Sequence, residues 1–350
     1  MGEVRFGIIG AGMIARFHAE AIADARGATL VSVCCPVDEQ REEFAETHKI
    51  RAFRDLTSFL ADPDLDAVTV AVPTGTHRDV AVPAARAGKH VLCEKPLDIT
   101  PKRAQDIIDA CRANRVVLAP VFQHRYDAGA RMIREALDAG RFGELMFVSA
   151  RVKWFRDQSY YRSGVWRGTW EQDGGGCLIN QAVHAIDLMI HFGGPPTEVF
   201  GYTSLRTHSG ITVEDNAAGT VKFANGAFGS IEASTSCAPG WPFEIEVSGT
   251  RGTATLSGRN ITRWDFGDSD PLDEKARAAM RSAAEDGAVG MASVTDSSGH
   301  RTLVENMVKT ITTGERAVID GEEARFALDL INAFYESTRT RQPVRLYAAS

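Results

Sequence analysis

The chain has 350 residues, of which 44% are hydrophobic and 24% charged, with a formal net charge of −7. That length exceeds what a single core usually serves and favours two domains. The acidic balance disfavours a nucleic-acid partner, which selects basic surfaces. No apolar run approaches the roughly 20 residues that cross a bilayer. The opening MGEVRFGIIGAG also lacks the basic stretch, long apolar core and cleavage site of a signal peptide. A cytoplasmic protein with no membrane partner is expected.

From residue 3 to about 122, short apolar runs rich in Val, Ile and Leu (Val4–Ile9, Leu30–Cys35, Ala67–Val72, His90–Cys93, Val116–Val121) alternate with amphipathic stretches (Ala11–Ala25, Glu39–Thr47, Arg78–Ala87, Pro101–Asn114). Short continuous apolar runs fit strands buried on both faces. Their alternation with helices predicts a doubly wound α/β domain over 1–122. Six cysteines are scattered along the chain without a C-x-x-C pair, so neither a zinc ribbon nor a thioredoxin-like site is expected. The adjacent Cys34–Cys35 is the one pair with redox potential, although thiols in strands are usually inert.

The turn Gly10-Ala11-Gly12-Met13-Ile14-Ala15 is a G-x-G-x-x-A that leaves the first strand and opens a helix. The first glycine makes the tight turn, and the second lets backbone approach a pyrophosphate. Ala15 permits close helix–strand packing, and the helix N-terminus faces the anion. About 20 residues further on, an acid should hold the ribose 2′-hydroxyl of NAD. That position is Cys35, with Arg41 and Arg16 some distance away, so NAD and NADP both remain open. Glu94-Lys95-Pro96 follows the His90–Cys93 strand, and ligands of open α/β sheets bind beyond the strands' carboxyl ends. Lys95 therefore lies in the cofactor cleft or is plain surface charge.

After residue 123 the rhythm changes to an α+β pattern, expected as one mostly antiparallel domain over 123–350 whose C-terminal helix packs back on the first domain. Glu144–Phe155 reads as a long strand, and a helix over Cys177–Phe192 follows three glycines. Val221–Phe223 and Phe228–Ile231 flank Asn225–Gly226, a hairpin signal. Phe243–Ser248 and Thr253–Leu256 flank another turn. Asp268–Ser298 reads as a polar excursion, either mobile or an oligomer contact. Leu303–Thr313 and Glu322–Arg339 read as helices, and Pro343–Leu346 as an edge strand.

On the apolar helix over 177–192, Asn180, His184, Asp187 and His191 share one face. Such a stripe is solvent-exposed, or binds a metal through His184, Asp187 and His191, or faces a cleft with His184 as a catalytic group.

These motifs together resemble the Gfo/Idh/MocA family, the glucose–fructose oxidoreductase and inositol dehydrogenase group. The resemblance is carried by Gly10–Ala15, Pro73-Thr74-Gly75-Thr76-His77, Ala87-Gly88-Lys89-His90 running into Glu94-Lys95-Pro96, and Trp166-Arg167-Gly168. Gly174-Gly175-Gly176 with His184-Ala185-Ile186-Asp187 and the closing Ala333–Thr338 complete it. It implies an N-terminal Rossmann domain, a C-terminal open-sheet domain, a bound NAD or NADP and a homodimer or homotetramer.

It further implies hydride transfer between nicotinamide and a secondary hydroxyl of a sugar, cyclitol or sugar derivative. His184 would be the base and Lys95 its partner, with Asn180 and Asp187 in the catalytic set. Gly10, Gly12, Met13, Ile14, Cys35, Thr74, His77, Glu94, Lys95, Gln123, Trp166 and Arg167 would line the cofactor, and no metal is implied. Many members carry aspartate where this chain has Asn180, which cannot relay a proton. Lys153, Arg156, Tyr160, Tyr161 and Arg162 are candidates for substrate choice, and their density hints at an anionic sugar. Two other readings stay open: a glycosidase that oxidises its sugar transiently with a tightly held NAD, and a non-catalytic nucleotide-binding regulator. A serine hydrolase has no G-x-S-x-G elbow to support it.

Overall fold

The structure, a computed structural model, describes residues 3–285 and 297–346. The chain divides into two compact units, Met1–Gln123 with Val294–Arg325, and His124–Ser293 with Phe326–Ser350.

In the first unit, strands β1 (Val4–Ile9), β2 (Ala28–Cys34), β3 (Arg51–Phe53), β4 (Ala67–Val70), β5 (His90–Cys93) and β6 (Leu118–Pro120) form one sheet. They alternate with helices α1 (Met13–Asp24), α2 (Asp38–His48), α3 (Leu56–Leu60), α4 (His77–Arg86) and α5 (Pro101–Ala113). The order is β3-β2-β1-β4-β5-β6 and every pairing is parallel. This is the Rossmann order, in which the crevice opens where strand order reverses beside β1. β4 and β5 are buried along nearly their whole length, hence their unbroken apolar sequence. The edge strand β3 has no such signature, because it is three residues long and largely exposed. The start of α5 is set locally: Thr100 accepts the Arg103 N–H, and Pro101 needs no donor there.

The second unit holds an eight-stranded sheet. Its strands are β7 (Leu145–Lys153), β8 (Pro196–Ser204), β9 (Asn216–Phe223), β10 (Phe228–Ser234), β11 (Glu244–Gly249), β12 (Gly252–Ser257), β13 (Asn260–Phe266) and β14 (Val344–Arg345), in the order β13-β12-β11-β7-β10-β9-β8-β14. β7 and β10 run parallel and the other pairs antiparallel. Its helices in chain order begin with α6 (Ala128–Asp138), α7 (Gln158–Arg162), α8 (Val183–Gly193) and α9 (Pro271–Glu285). The Asn225–Gly226 hairpin forms between β9 and β10, with Gly226 alone at positive φ (+90°). β8 and β13 go beyond the sequence reading.

The expected helix over 177–192 is two pieces: a π-helical turn over Cys177–Ala182, then α8. The excursion expected over 268–298 is in part α9, anchored where Asp273 meets Arg141 at 2.6 Å. Residues 286–296 of it lie outside the described residues.

After α9 come α10 (Ser298–Thr313), grouped with the first unit, and α11 (Gly321–Thr340). The sequence placed everything from 123 onward in one second domain, whereas 294–325 groups with the first unit. Within the second unit, Phe334 of α11 is fully buried against paired glycines of β8 and β9. A Cβ at Gly201 would stand 2.2 Å, and at Gly219 2.5 Å, from its ring. Those glycines are the socket for that ring.

Candidate active site

The first unit's site begins with backbone. Gly10 follows β1 at φ +106°, and a Cβ there would lie 2.3 Å from the Ala71 carbonyl oxygen. Gly12 is the N-cap of α1, and a Cβ on it would meet open space. No side chain caps α1 and no acid lies in its first turn. The orphan N–H groups and the positive helix end are thus presented to an anion. Ala15 is fully buried against the sheet, while Met13 is 65% exposed beside the turn.

The end of β2 is less open. Cys34 and Cys35 are both buried, and burial, aided by Cys35 and Asp55, pushes the Cys34 thiol up to about 11. That keeps it protonated and argues against redox chemistry at the pair. Arg41 sits beside the strand end, donating to the Cys35 carbonyl at 3.1 Å and pairing with Asp38 at 2.7 Å. Arg16 pairs with Glu43 at 2.9 Å.

Beyond β5 the peptide Lys95–Pro96 is cis. Glu94 is buried; its Oε1 accepts from His18 Nε2 at 2.8 Å and lies 3.6 Å from His300 Nε2, and its Oε2 accepts the Lys95 N–H at 3.1 Å. Burial alone would raise this carboxyl, but the hydrogen bonds and charge of His18 and His300 hold it well below the usual range. Among the described residues these three bring ligating atoms close enough, within 4.8 Å of one another, for a metal ion. The short His18–Glu94 hydrogen bond already occupies that place. Glu94 thus holds the backbone of Lys95 through its own side chain.

His77, also expected at the cofactor, is 1% exposed. Its ring nitrogens lie 3.0 Å from the Val72 and Pro96 carbonyls, tying the loop after β4 to the loop after β5. Thr74 is buried in the short helical turn just before it. Gln123, past β6, keeps a buried Oε1 without a hydrogen-bond partner. That is an acceptor awaiting a donor.

In the second unit the four-residue polar stripe is split between the π-helical turn, which carries Asn180, and α8, which carries His184, Asp187 and His191. Asp187 is 2% exposed and takes the Arg125 guanidinium on both oxygens, at 2.6 and 2.8 Å. Burial raises its carboxyl and Arg125 pulls it back. It is a buried ion pair, with neither oxygen given to His184. His191 is pushed down to about 3 by burial, with the charges of Arg125 and Arg134 adding to it, and a metal set of His184, Asp187 and His191 is excluded by the commitment of Asp187. His184 is half-buried at the start of α8, edge-on to His124 with ring centroids 5.0 Å apart. His124 Nδ1 is in turn 2.7 Å from Asp127.

Asn180, on the π-helical turn, is a junction. Its Nδ2 donates to the buried Asp173, and its Oδ1 accepts from the Tyr160 hydroxyl at 3.1 Å and from Gln181 Nε2 at 2.5 Å. Asp173 also accepts the Gly168 N–H at 2.9 Å. The Tyr160 hydroxyl accepts from Arg167 at 2.6 Å and from Gln181 at 2.8 Å. The guanidinium of Arg167 stacks on Tyr160 and on Trp166, each at 4.4 Å.

The turn itself is held by Glu214. This buried carboxyl accepts the Gly176 and Leu178 N–H groups, each at 2.9 Å, and the Tyr335 hydroxyl. Gly176 has no room for a side chain, since a Cβ would stand 1.8 Å from the Glu214 carbonyl oxygen.

Residues 4–122 match the model of the "Oxidoreductase family, NAD-binding Rossmann fold", and residues 130–255 match the "GFO/IDH/MocA C-terminal domain". The chain belongs to the GFO/IDH/MocA oxidoreductase family. A 1,5-anhydro-D-fructose reductase from Ensifer adhaerens is 32% identical over 90% of this chain and 98% of its own. A myo-inositol 2-dehydrogenase from Thermotoga maritima is 25% identical over 98% of each chain. The crystal structure of the WlbA dehydrogenase from Bordetella pertussis, in complex with NADH and UDP-GlcNAcA, superimposes with a TM-score of 0.90 at 30% identity, covering 99% of both chains. As in the family, the chain is an oxidoreductase with an NAD-binding domain, and its uncapped α1 terminus, the open space at Gly12 and the unpartnered Gln123 acceptor fit such a nucleotide.

Sequence reasoning missed His18, His300, Arg125, Asp173, Gln181 and Glu214. Their partners are far along the chain or one residue off a motif, and each reads alone as an ordinary polar residue. Asp173 did carry a signal, as an acid directly before three glycines.

Proposed function

We propose that this chain is an NAD-dependent dehydrogenase or reductase acting on a secondary hydroxyl of a sugar, cyclitol or sugar derivative. The observation that carries it is the half-buried His184, edge-on to the Asp127-linked His124, in a chain whose other unit holds Lys95 and an uncapped glycine turn. The substrates named for the relatives, an anhydrofructose, an inositol and UDP-GlcNAcA, support a polyhydroxylated substrate.

The bound nicotinamide supplies the hydride acceptor. His184 takes the hydroxyl proton during oxidation, and imidazole titrates near neutral pH, which suits that exchange. Lys95 donates a hydrogen bond to the same oxygen and stabilises its developing charge. Asn180 positions this region and does not relay a proton: its Nδ2 is spent on Asp173 and its Oδ1 on Tyr160 and Gln181. NAD is favoured over NADP, because Arg41 and Arg16 beside β2 are already paired with Asp38 and Glu43 and a 2′-phosphate would add repulsion.

The outer face of the second sheet leaves Phe147, Tyr202 and Phe228 at 52%, 65% and 49% exposure, a surface suited to a second copy of the chain, in line with a cytoplasmic homo-oligomer. Lys95→Ala and His184→Ala should each lower kcat/KM by about 10²–10⁴-fold while NADH binding, read by fluorescence, persists. Undiminished turnover in either variant overturns the assignment.

A further inference from the structure

Tyr160 of α7 packs against two guanidinium groups. Arg167 lies 4.4 Å and Arg156 5.4 Å from its ring centroid. Arg156 also stacks on Trp154 at 5.1 Å. Arg156 donates one hydrogen bond to Gln181 at 3.0 Å, and Arg167 donates one to the Tyr160 hydroxyl at 2.6 Å.

Neither arginine forms an ion pair with a described residue, and the Nε of each is buried without a hydrogen-bond partner. Other arginines of the same unit do have an ion-pair partner. Arg125 has Asp187, Arg141 has Asp273, Arg134 has Asp138 and Arg259 has Asp127. Two partly buried positive charges without a counter-charge are costly to hold. The fold nevertheless fixes them. His208, buried against Asp215, places a ring nitrogen 2.7 Å from the Arg156 carbonyl, and the Arg156 N–H donates to Thr235 at 2.8 Å. Of the carboxylates nearby, Asp157 caps α7, accepting the Tyr160 N–H and the Ser159 hydroxyl, and Asp173 accepts from Asn180 and the Gly168 N–H.

The cluster also borders the reacting region. Gln181 and Asn180 both touch the Tyr160 hydroxyl, and His184 follows Asn180 one helical turn later.

We propose that Arg156 and Arg167, both packed on Tyr160, are a receptor for a negatively charged substituent of the substrate. The sugar oxidised near His184 carries a carboxylate or phosphate. Guanidinium is the group suited to this task, since its planar donors match the oxygens of either anion and its faces stack on aromatic rings. Asp173 supports the receptor without neutralising it, because its oxygens are turned to Asn180 and the backbone. This inference rests on the dehydrogenase reading for the place of the sugar, but not for the charge of its substituent.

The test compares matched pairs on the NADH-loaded protein by calorimetry: methyl glucuronide against methyl glucoside, glucose 6-phosphate against glucose, and UDP-glucuronate against UDP-glucose. At least one charged member should bind about tenfold or more tightly than its neutral partner, the worth of one charge-assisted hydrogen bond. Which pair shows it tells carboxylate from phosphate. Arg156→Gln and Arg167→Gln should each reduce that ratio about tenfold, and Arg167→Lys should restore it only in part. An unchanged NADH affinity in Arg156→Gln shows that the variant is folded. Equal binding within every pair, no binding of any charged member, or a preference that survives the double variant overturns the proposal. Turnover is read separately: a charged sugar that binds as expected but yields no NADH from NAD overturns the dehydrogenase reading and leaves the anion receptor standing.

Discussion

The two units build their candidate functional groups by different means. In the first, the decisive features are main chain: a glycine pressed on the Ala71 carbonyl, an uncapped helix end, and a loop held by carbonyls and by Glu94. In the second, they are side chains gathered from far apart, with Arg125 on Asp187, Asp173 on Asn180 and Glu214 under the turn at 177. A backbone-built site tolerates many side chains and almost no change of shape. A site built from side-chain networks tolerates small shifts of backbone, and fails when one partner is removed.

That contrast can be broken by one methyl group. Gly10→Ala places a Cβ 2.3 Å from a carbonyl oxygen at a φ that L-residues avoid. It should cost on the order of 5 kcal/mol in urea unfolding of the first unit and abolish NADH binding. Retention of tight binding would mean that the turn is not the rigid element described. Next in size, Asp187→Ala removes the carboxylate that pairs with the buried Arg125 and should destabilise the second unit by about 3 kcal/mol. Arg125→Met with Asp187→Leu should recover most of that loss, and a double variant no better than the single one would place the damage elsewhere.

The smallest effect is a pH dependence carried by two adjacent carboxyls of the second unit, which shift in opposite directions. Burial would raise Asp215, but the N–H groups of Thr207, Arg206 and His208 win and hold it at about 2, below its ordinary 3.8. A depressed carboxyl stabilises the fold above the unfolded value and loses that contribution as pH falls through the folded one. Asp215→Asn should therefore cost about 2 kcal/mol above pH 4 and nearly nothing at pH 2. Glu214 runs the other way, raised by burial to about 7 from 4.5. Its contribution is complete below pH 4.5 and drains away as pH rises through 7. Thermal melts of Glu214→Gln across that window should show a flatter decline than the parent protein, and a parallel decline would contradict the assignment.

The same contrast governs what was legible in the sequence. Local chemistry speaks through neighbours in the chain. The Gly10–Ala15 turn, the Pro101 helix start and the Asn225–Gly226 hairpin were readable because the residues that make them are adjacent. β3 and β13 were not, since an exposed three-residue edge and a strand with alternating polar residues carry little apolar signal. His18 and Glu94 meet across 76 positions, and Arg125 and Asp187 across 62. Only the folded topology brings such pairs together. The periodicity argument that aligned Asn180 with His184, Asp187 and His191 failed at its first member for a nearer reason, because it assumed an α-helix unbroken from 177.

The π-helical turn over Cys177–Ala182 is where that assumption gives way, and it acts as a phase shifter. Each residue of an α-helix advances the side-chain direction by about 100°, and a wider turn advances it by less. The compass bearing on which His184 leaves α8 is thus fixed upstream, by how many residues fit between the Glu214-capped start and Val183. Shortening that turn by one residue would leave every side chain in α8 chemically intact and swing His184 toward another face. The histidine's aim is stored in the spacing before it as much as in the contacts around it.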